Sequence, residues 1–145
     1  MEVVIDSNVL FRILISKGKI VDVLFDENLF IFAPEKLMQE FLKHKSEIFE
    51  KSKLSNSEIE ELSKILFNKI KLVQLKEYES FIPKARELLG MHLKDEDFVA
   101  LALSKNIKLL TYEDLLFKIG VGISIKQTKE ELSKEFLISF FFSKE

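Results

Sequence analysis

Asp6 follows directly on Val3-Val4-Ile5, so a carboxylate closes a wholly apolar run. Burying such a group is costly unless it is solvated, caps a helix or binds a cation. The placement recurs late in the chain, where Ile107-Lys108-Leu109-Leu110 gives way to Thr111-Tyr112-Glu113-Asp114. Between these stand Glu40, beside Leu37 and Phe41, and Asp95-Glu96-Asp97, just ahead of Phe98 and Val99. Each acid has an ordinary role of its own. Asp6 or Ser7 caps a following helix, Thr111 or Asp114 caps another with Glu113 in its first turn, and Asp95 to Asp97 make an acidic helix start. Glu40 is a boundary residue that pairs with Lys36 or Lys43. As a set they point elsewhere. Carboxylates at close range raise one another's pKa, and a hard divalent cation relieves the repulsion. Mg²⁺ or Mn²⁺ suits an all-oxygen donor set, leaves positions open for phosphate, and supports phosphodiester hydrolysis.

The elements that must bring these acids together are short apolar runs and longer helical stripes. Val3–Ile5, Leu29–Phe32, Lys71–Leu75 and Ile107–Leu110 read as strands, with Val121–Ile125 a fifth candidate. The first, second and fourth are nearly continuous rather than alternating, as expected of strands covered on both faces. Helical spacing spans Ser7–Phe25, Pro34–Lys53, Glu79–Leu89, Asp95–Lys105, Asp114–Ile119 and Thr128–Phe142. Another helix opens at Ser55, whose spacing to Glu58 is that of a capping box. In Pro34–Lys53 the stripe is Leu37, Met38, Phe41, Leu42, Ile48 and Phe49, and Pro34 suits a first turn. Strands separated by crossover helices imply a three-layer α/β/α sandwich around a mainly parallel sheet of four to five strands. Ligands of such sheets bind at the carboxyl ends of the strands, where Asp6 and the Thr111–Asp114 segment fall. Helical counting puts Asp95 on the side of Phe98 and Val99, and turns Asp97 to solvent.

Composition removes other classes. The 145 residues, 47% hydrophobic and 32% charged, suit one globular domain. No Cys is present, which excludes a disulfide framework, a thiolate zinc site and a cysteine nucleophile. The two histidines, His44 and His92, lack zinc-ligand spacing, and no Gly-rich phosphate loop occurs. A net charge of −2 excludes bulk electrostatic attachment to nucleic acid, so local basic patches or bound cations must serve instead. The start, MEVVIDSNVL, has no basic n-region, and no apolar run approaches the ~18 residues of a membrane span. A cytoplasmic protein without membrane contact is the expectation.

In these residues the chain resembles the PIN-domain ribonucleases. Val4-Ile5-Asp6-Ser7-Asn8-Val9-Leu10 resembles the family's first motif, and Pro34 to Glu40 with Phe41 its second. Asp95-Glu96-Asp97-Phe98-Val99-Ala100-Leu101-Ala102-Leu103 is similar to the third motif, in a register that makes Asp95 the ligand. Ile107 to Asp114 resembles the closing strand with its Thr-x-Asp ending, except that Glu113 holds the Asp position and Asp114 comes one place later. The resemblance covers residues 1–126 of a single domain spanning 1–145, with a C-terminal packing helix at 128–142. It implies a PIN-like, Rossmann-like topology and a metal-dependent endoribonuclease, of a kind that often serves as the toxin of a toxin–antitoxin pair. Asp6, Glu40 and Asp95 would bind Mg²⁺ or Mn²⁺, with Glu113 or Asp114 completing the site and Ser7, Asn8 and Thr111 supporting it. RNA, a small antitoxin protein and a second copy in a homodimer are the implied partners. Lys17, Lys19, Lys43, Lys45 and Lys94 are candidate contacts to the RNA backbone. Two rivals stand beside this reading. A PIN-like domain that binds RNA or protein without cutting is favoured by Glu113, and an Asp-nucleophile phosphatase is disfavoured by Asn8, which cannot act as the general acid.

Overall fold

The computed structural model describes residues 1–16 and 20–142, so the candidate contacts Lys17 and Lys19 lie outside the described residues. Among the described residues the strands are β1 (Glu2–Ile5), β2 (Phe30–Pro34), β3 (Ile70–Val73), β4 (Lys108–Leu110) and β5 (Gly122–Ile123). They form one sheet in the order β3-β2-β1-β4-β5, and every pairing is parallel. Val3, Val4 and Ile5 have no exposed surface, because helices cover both faces of the central strand. The α/β/α sandwich expected from the apolar runs is therefore the fold.

The helices are α1 (Ser7–Ser16), α2 (Ile20–Leu24), α3 (Lys36–Lys51), α4 (Asn56–Lys69), α5 (Ile82–Leu89), α6 (Glu96–Lys105), α7 (Asp114–Lys118) and α8 (Ile125–Phe142). Right-handed crossovers send the connections toward β2 and β3 over one face and those toward β4 and β5 over the other. Accordingly α1 packs with α3 and α4, while α6 lies against β1, β2 and β4. Between β1 and β4 the chain direction of successive connections reverses. Such a reversal opens a crevice beyond the carboxyl ends of the two strands.

Several local expectations are corrected. Pro34 ends β2 rather than opening a helix: it pairs with Val73 of β3, beyond the last residue paired with β1, where a missing N–H is tolerated. The third strand begins one residue early and stops at Val73, since Leu75–Glu77 winds into a 3₁₀ turn. The fifth strand is only two residues long because Ser124 starts α8: its hydroxyl accepts the Gln127 N–H (3.0 Å) and the Gln127 side chain accepts the Ser124 N–H (2.9 Å). Leu42 of the α3 stripe is 60% exposed. The C-terminal helix packs only through its first half, with Thr128 and Leu132 buried, whereas Phe136, Leu137, Phe140, Phe141 and Phe142 stand in solvent.

The capping box of α4 forms as its spacing predicts, with Ser55 and Glu58 bonded reciprocally. Ser55→Ala should lower unfolding free energy by about 1 kcal/mol, read as an earlier urea midpoint with an unchanged m-value.

Candidate metal centre

The crevice between β1 and β4 collects the acids. Backbone pairing brings β1 and β4 to a common end: Ile5 pairs with Leu110, and the Asp6 N–H donates to the Leu110 carbonyl at 3.0 Å. The next residue on each strand thus faces the same opening. Asp6 then starts α1, its carbonyl accepting the Val9 N–H (3.1 Å) and, more weakly, the Leu10 N–H. Its side chain is 1% exposed. Thr111, equally buried, donates its hydroxyl to Asp6 Oδ2 at 2.7 Å and accepts the Glu113 N–H at 3.1 Å. One hydroxyl therefore fixes both Asp6 and the backbone that carries Glu113. Asn8 Nδ2 donates to Glu113 Oε1 at 3.2 Å and restrains that longer side chain.

Asp95 arrives from the opposite face of the sheet. A 3₁₀ turn at Leu93–Asp95 leads into α6, and Asp95 is buried at the junction. Asp6, Asp95 and Glu113 each present an oxygen within 4.8 Å of the others. Their electrostatics are those of a site short of positive charge. Burial pushes the Asp95 carboxyl up to about 7, reinforced by the charges of Asp6 and Glu113 and a hydrogen bond shared with Glu113. Asp6 is also raised, first by burial and then by the Glu113 and Glu40 charges, against the lowering effect of the Thr111 hydroxyl and the Asn8 backbone N–H. Among the described residues Asp6 Oδ1 is buried with no hydrogen-bond partner. An orphaned carboxylate oxygen beside two further carboxylates fits a hard divalent cation, which supplies the missing partner and the missing charge.

Glu40 and Asp114 lie outside this tight cluster. Glu40 lines the neighbouring opening with Ser7, Lys43, Lys94 and Asp95, and Lys36 Nζ stands 3.9 Å from it. The same ammonium is 3.7 Å from Asp97 and donates to the Lys94 carbonyl at 3.3 Å, tying α3 to the turn that carries Asp95. Asp114 is exposed in the first turn of α7 and borders the cavity that holds Asp95 and Glu113. The expectation for Asp97 fails: it is half-buried and accepts the Tyr78 hydroxyl at 2.7 Å, a contact from a distant turn that helical counting does not contain. Lys43 and Lys94 flank the acids, but Lys45 turns into the α3–α4 groove, over the Phe49 ring and near Glu60. Sequence reasoning missed Tyr78, which anchors Asp97, and gave Lys36 only its i,i+4 pairing with Glu40.

The PIN-domain family model matches residues 4–136, which takes in nearly all of the sheet, the acidic crevice and the first two thirds of α8. The chain belongs to the PIN-domain family. No curated protein matches it. This PIN domain has no described helix long and apolar enough to cross a membrane.

Two outcomes follow from the geometry of the PIN-domain acids. A carboxyl raised in the folded state holds a proton that the unfolded chain has lost, so its stabilising contribution is present at low pH and disappears as pH rises through the folded pKa. The lowered Glu47 and Glu96 act oppositely, but only as pH falls through the ordinary carboxylate range. Between about pH 5 and pH 7 the raised acids dominate. Metal-free protein should therefore lose urea resistance over that window. Saturating Mn²⁺ should offset the loss at neutral pH, and Asp95→Asn should flatten it. Thr111→Val, which removes the peg between Asp6 and the Glu113 backbone, should weaken Mn²⁺ binding about 10–100-fold by calorimetry.

Proposed function

We infer that this PIN domain is a metal-dependent endoribonuclease that hydrolyses RNA phosphodiester bonds. The observation that carries the reading is the orphaned, buried Oδ1 of Asp6 within reach of the Asp95 and Glu113 carboxylates. Family membership supports the reaction class. A bound Mg²⁺ or Mn²⁺ supplies a nucleophilic water at neutral pH and charge neutralisation at the phosphate. The chain's own residues do the rest. Asp6, Asp95 and Glu113 hold the cation, with Glu40 assisting from across the opening, and Thr111 and Asn8 keep Asp6 and Glu113 oriented. Lys43 and Lys94 hold the RNA backbone beside the acids, which a chain of net charge −2 must do locally. Ser7, buried at the start of α1, lines the same opening.

The position of Glu113 supports cutting over mere binding. Its departure from Asp would favour an inert module if the side chain pointed away, but its oxygen joins the cluster and Asn8 restrains it. The same Asn8 contact supports the nuclease over an Asp-nucleophile phosphatase, since that residue serves a carboxylate and supplies no general acid. Within this proposal the enzyme is a cytoplasmic toxin, works as a homodimer, and is restrained by a small antitoxin protein.

The test is cleavage of a panel of single-stranded and structured RNAs with Mn²⁺. Wild-type protein should cut, EDTA should abolish cutting, and Asp6→Asn and Asp95→Asn should each reduce the rate at least about 100-fold. Absence of cleavage across the panel at every Mn²⁺ concentration would favour the binding module. Release of phosphate from a simple monoester without RNA cleavage would favour the phosphatase.

A further inference from the structure

Beside the acids runs an open cleft of about 650 Å³ that, of the ligand set, only Glu113 borders. One face of α1 forms its floor: Asn8, Phe11, Arg12 and Ile15 recur at the spacing that stacks side chains along a helix. The stripe begins inside the metal centre, where Asn8 bonds Glu113, and leads away from it. Two contacts between planar side chains line the cleft, one stacked and one tilted by 55°. The Arg12 guanidinium stacks over the Tyr112 ring, 4.5 Å from its centroid, and joins α1 to the loop after β4. The Phe11 ring meets the His44 ring of α3 with centroids 5.8 Å apart. Tyr112 is 37% exposed, so its ring is open to a ligand rather than spent in the core. Lys94, already placed beside Asp95, also lines this cleft.

We propose that this cleft is a nucleobase subsite, in which a base next to the scissile phosphate stacks against the Arg12–Tyr112 platform and the Phe11–His44 pair. The proposal rests on the nuclease reading above and deepens it by naming what the site recognises besides phosphate. Flat aromatic and guanidinium faces suit bases because every base has a π-face, and they suit single strands because only an unpaired base can enter. A cleft that starts at Glu113 and carries Lys94 on its edge leads a strand from the acids to the platform in one direction. Cleavage would then depend on a base at one defined position of the strand, which the carboxylates alone cannot impose.

Binding of an RNA tetranucleotide, with Ca²⁺ in place of Mn²⁺ and followed by fluorescence anisotropy, tests this. The parent is compared with four tetramers that each carry an abasic ribose at one position, so the phosphates stay constant. The expected result is about a tenfold loss of affinity for one abasic position and little change for the others. Tyr112→Ala should erase that positional difference, while Tyr112→Phe, which keeps the ring, should retain it. Ion-dependent binding of the tetramer by Tyr112→Ala reports that the variant is folded. Equal binding of all abasic tetramers by wild type would overturn the subsite and leave the nuclease reading standing. So would a positional difference that survives both Tyr112→Ala and Phe11→Ala. If the parent shows no Ca²⁺-dependent binding at all, the nuclease reading fails and the subsite falls with it.

Discussion

Three carboxylates share one crevice, two of them, Asp6 and Asp95, buried, and their mutual repulsion is the constraint around which the molecule is organised. Asp6 is the centre of the difficulty, being buried on a strand end with one oxygen bonded to Thr111 and the other without a partner among the described residues. Desolvation disfavours its charged form, and each neighbouring carboxylate disfavours it further. Placing such a group between the two strands at which the sheet topology reverses costs stability in the absence of a cation. Such a site could hold a divalent ion, whose charge would offset the desolvation penalty and the repulsion together.

The remainder of the fold can be understood as the means of holding that arrangement. Parallel pairing of Ile5 with Leu110 sets Asp6 and Thr111 side by side without any loop to position them. From the other face, α6 brings Asp95 on a turn that Lys36 ties to α3, so both helical layers contribute to the crevice. Precision comes from rigid elements and short hydrogen bonds, whereas Glu113, on the loop after β4, needs the Asn8 amide to steady it. The exposed aromatic end of α8 is separate from this machinery. Its Phe136 and Phe140 rings stack on one another, 6.4 Å between centroids, rather than on the core.

What the sequence made legible was whatever local physics decides. Doubly covered strands announce themselves as unbroken apolar runs, and a lone acid at the end of such a run marks the ligand edge of a parallel sheet. Asp6 and Glu113 were readable for that reason, and Asp95 because an acid run longer than a cap needs precedes the α6 stripe. What stayed hidden depended on contacts between distant segments. Asp97 counts as solvent-facing on a helical wheel until Tyr78 comes in from the turn before α5. Lys45 stands two residues after Lys43, about 200° round the helix, so α3 itself turns it away from Glu40 and toward Glu60 of α4. The spacing of Phe136, Leu137, Phe140 and Phe141 describes a packing stripe accurately, but spacing alone does not state whether a partner surface exists within the chain. Tyr112 passed as a spacer inside a motif because its neighbour Arg12 lies on another element.

One cation shared by carboxylates from three separate elements is what Asp6, Asp95 and Glu113 would hold. Crystals soaked in Mn²⁺ and measured at the manganese absorption edge test it directly. The prediction is an anomalous peak within coordinating distance of Asp6 Oδ1 and of oxygens from Asp95 and Glu113, absent from Asp6→Asn crystals. A well-ordered crevice that stays empty in saturating Mn²⁺, with Asp6 Oδ1 satisfied by protein or by a proton instead, would contradict it.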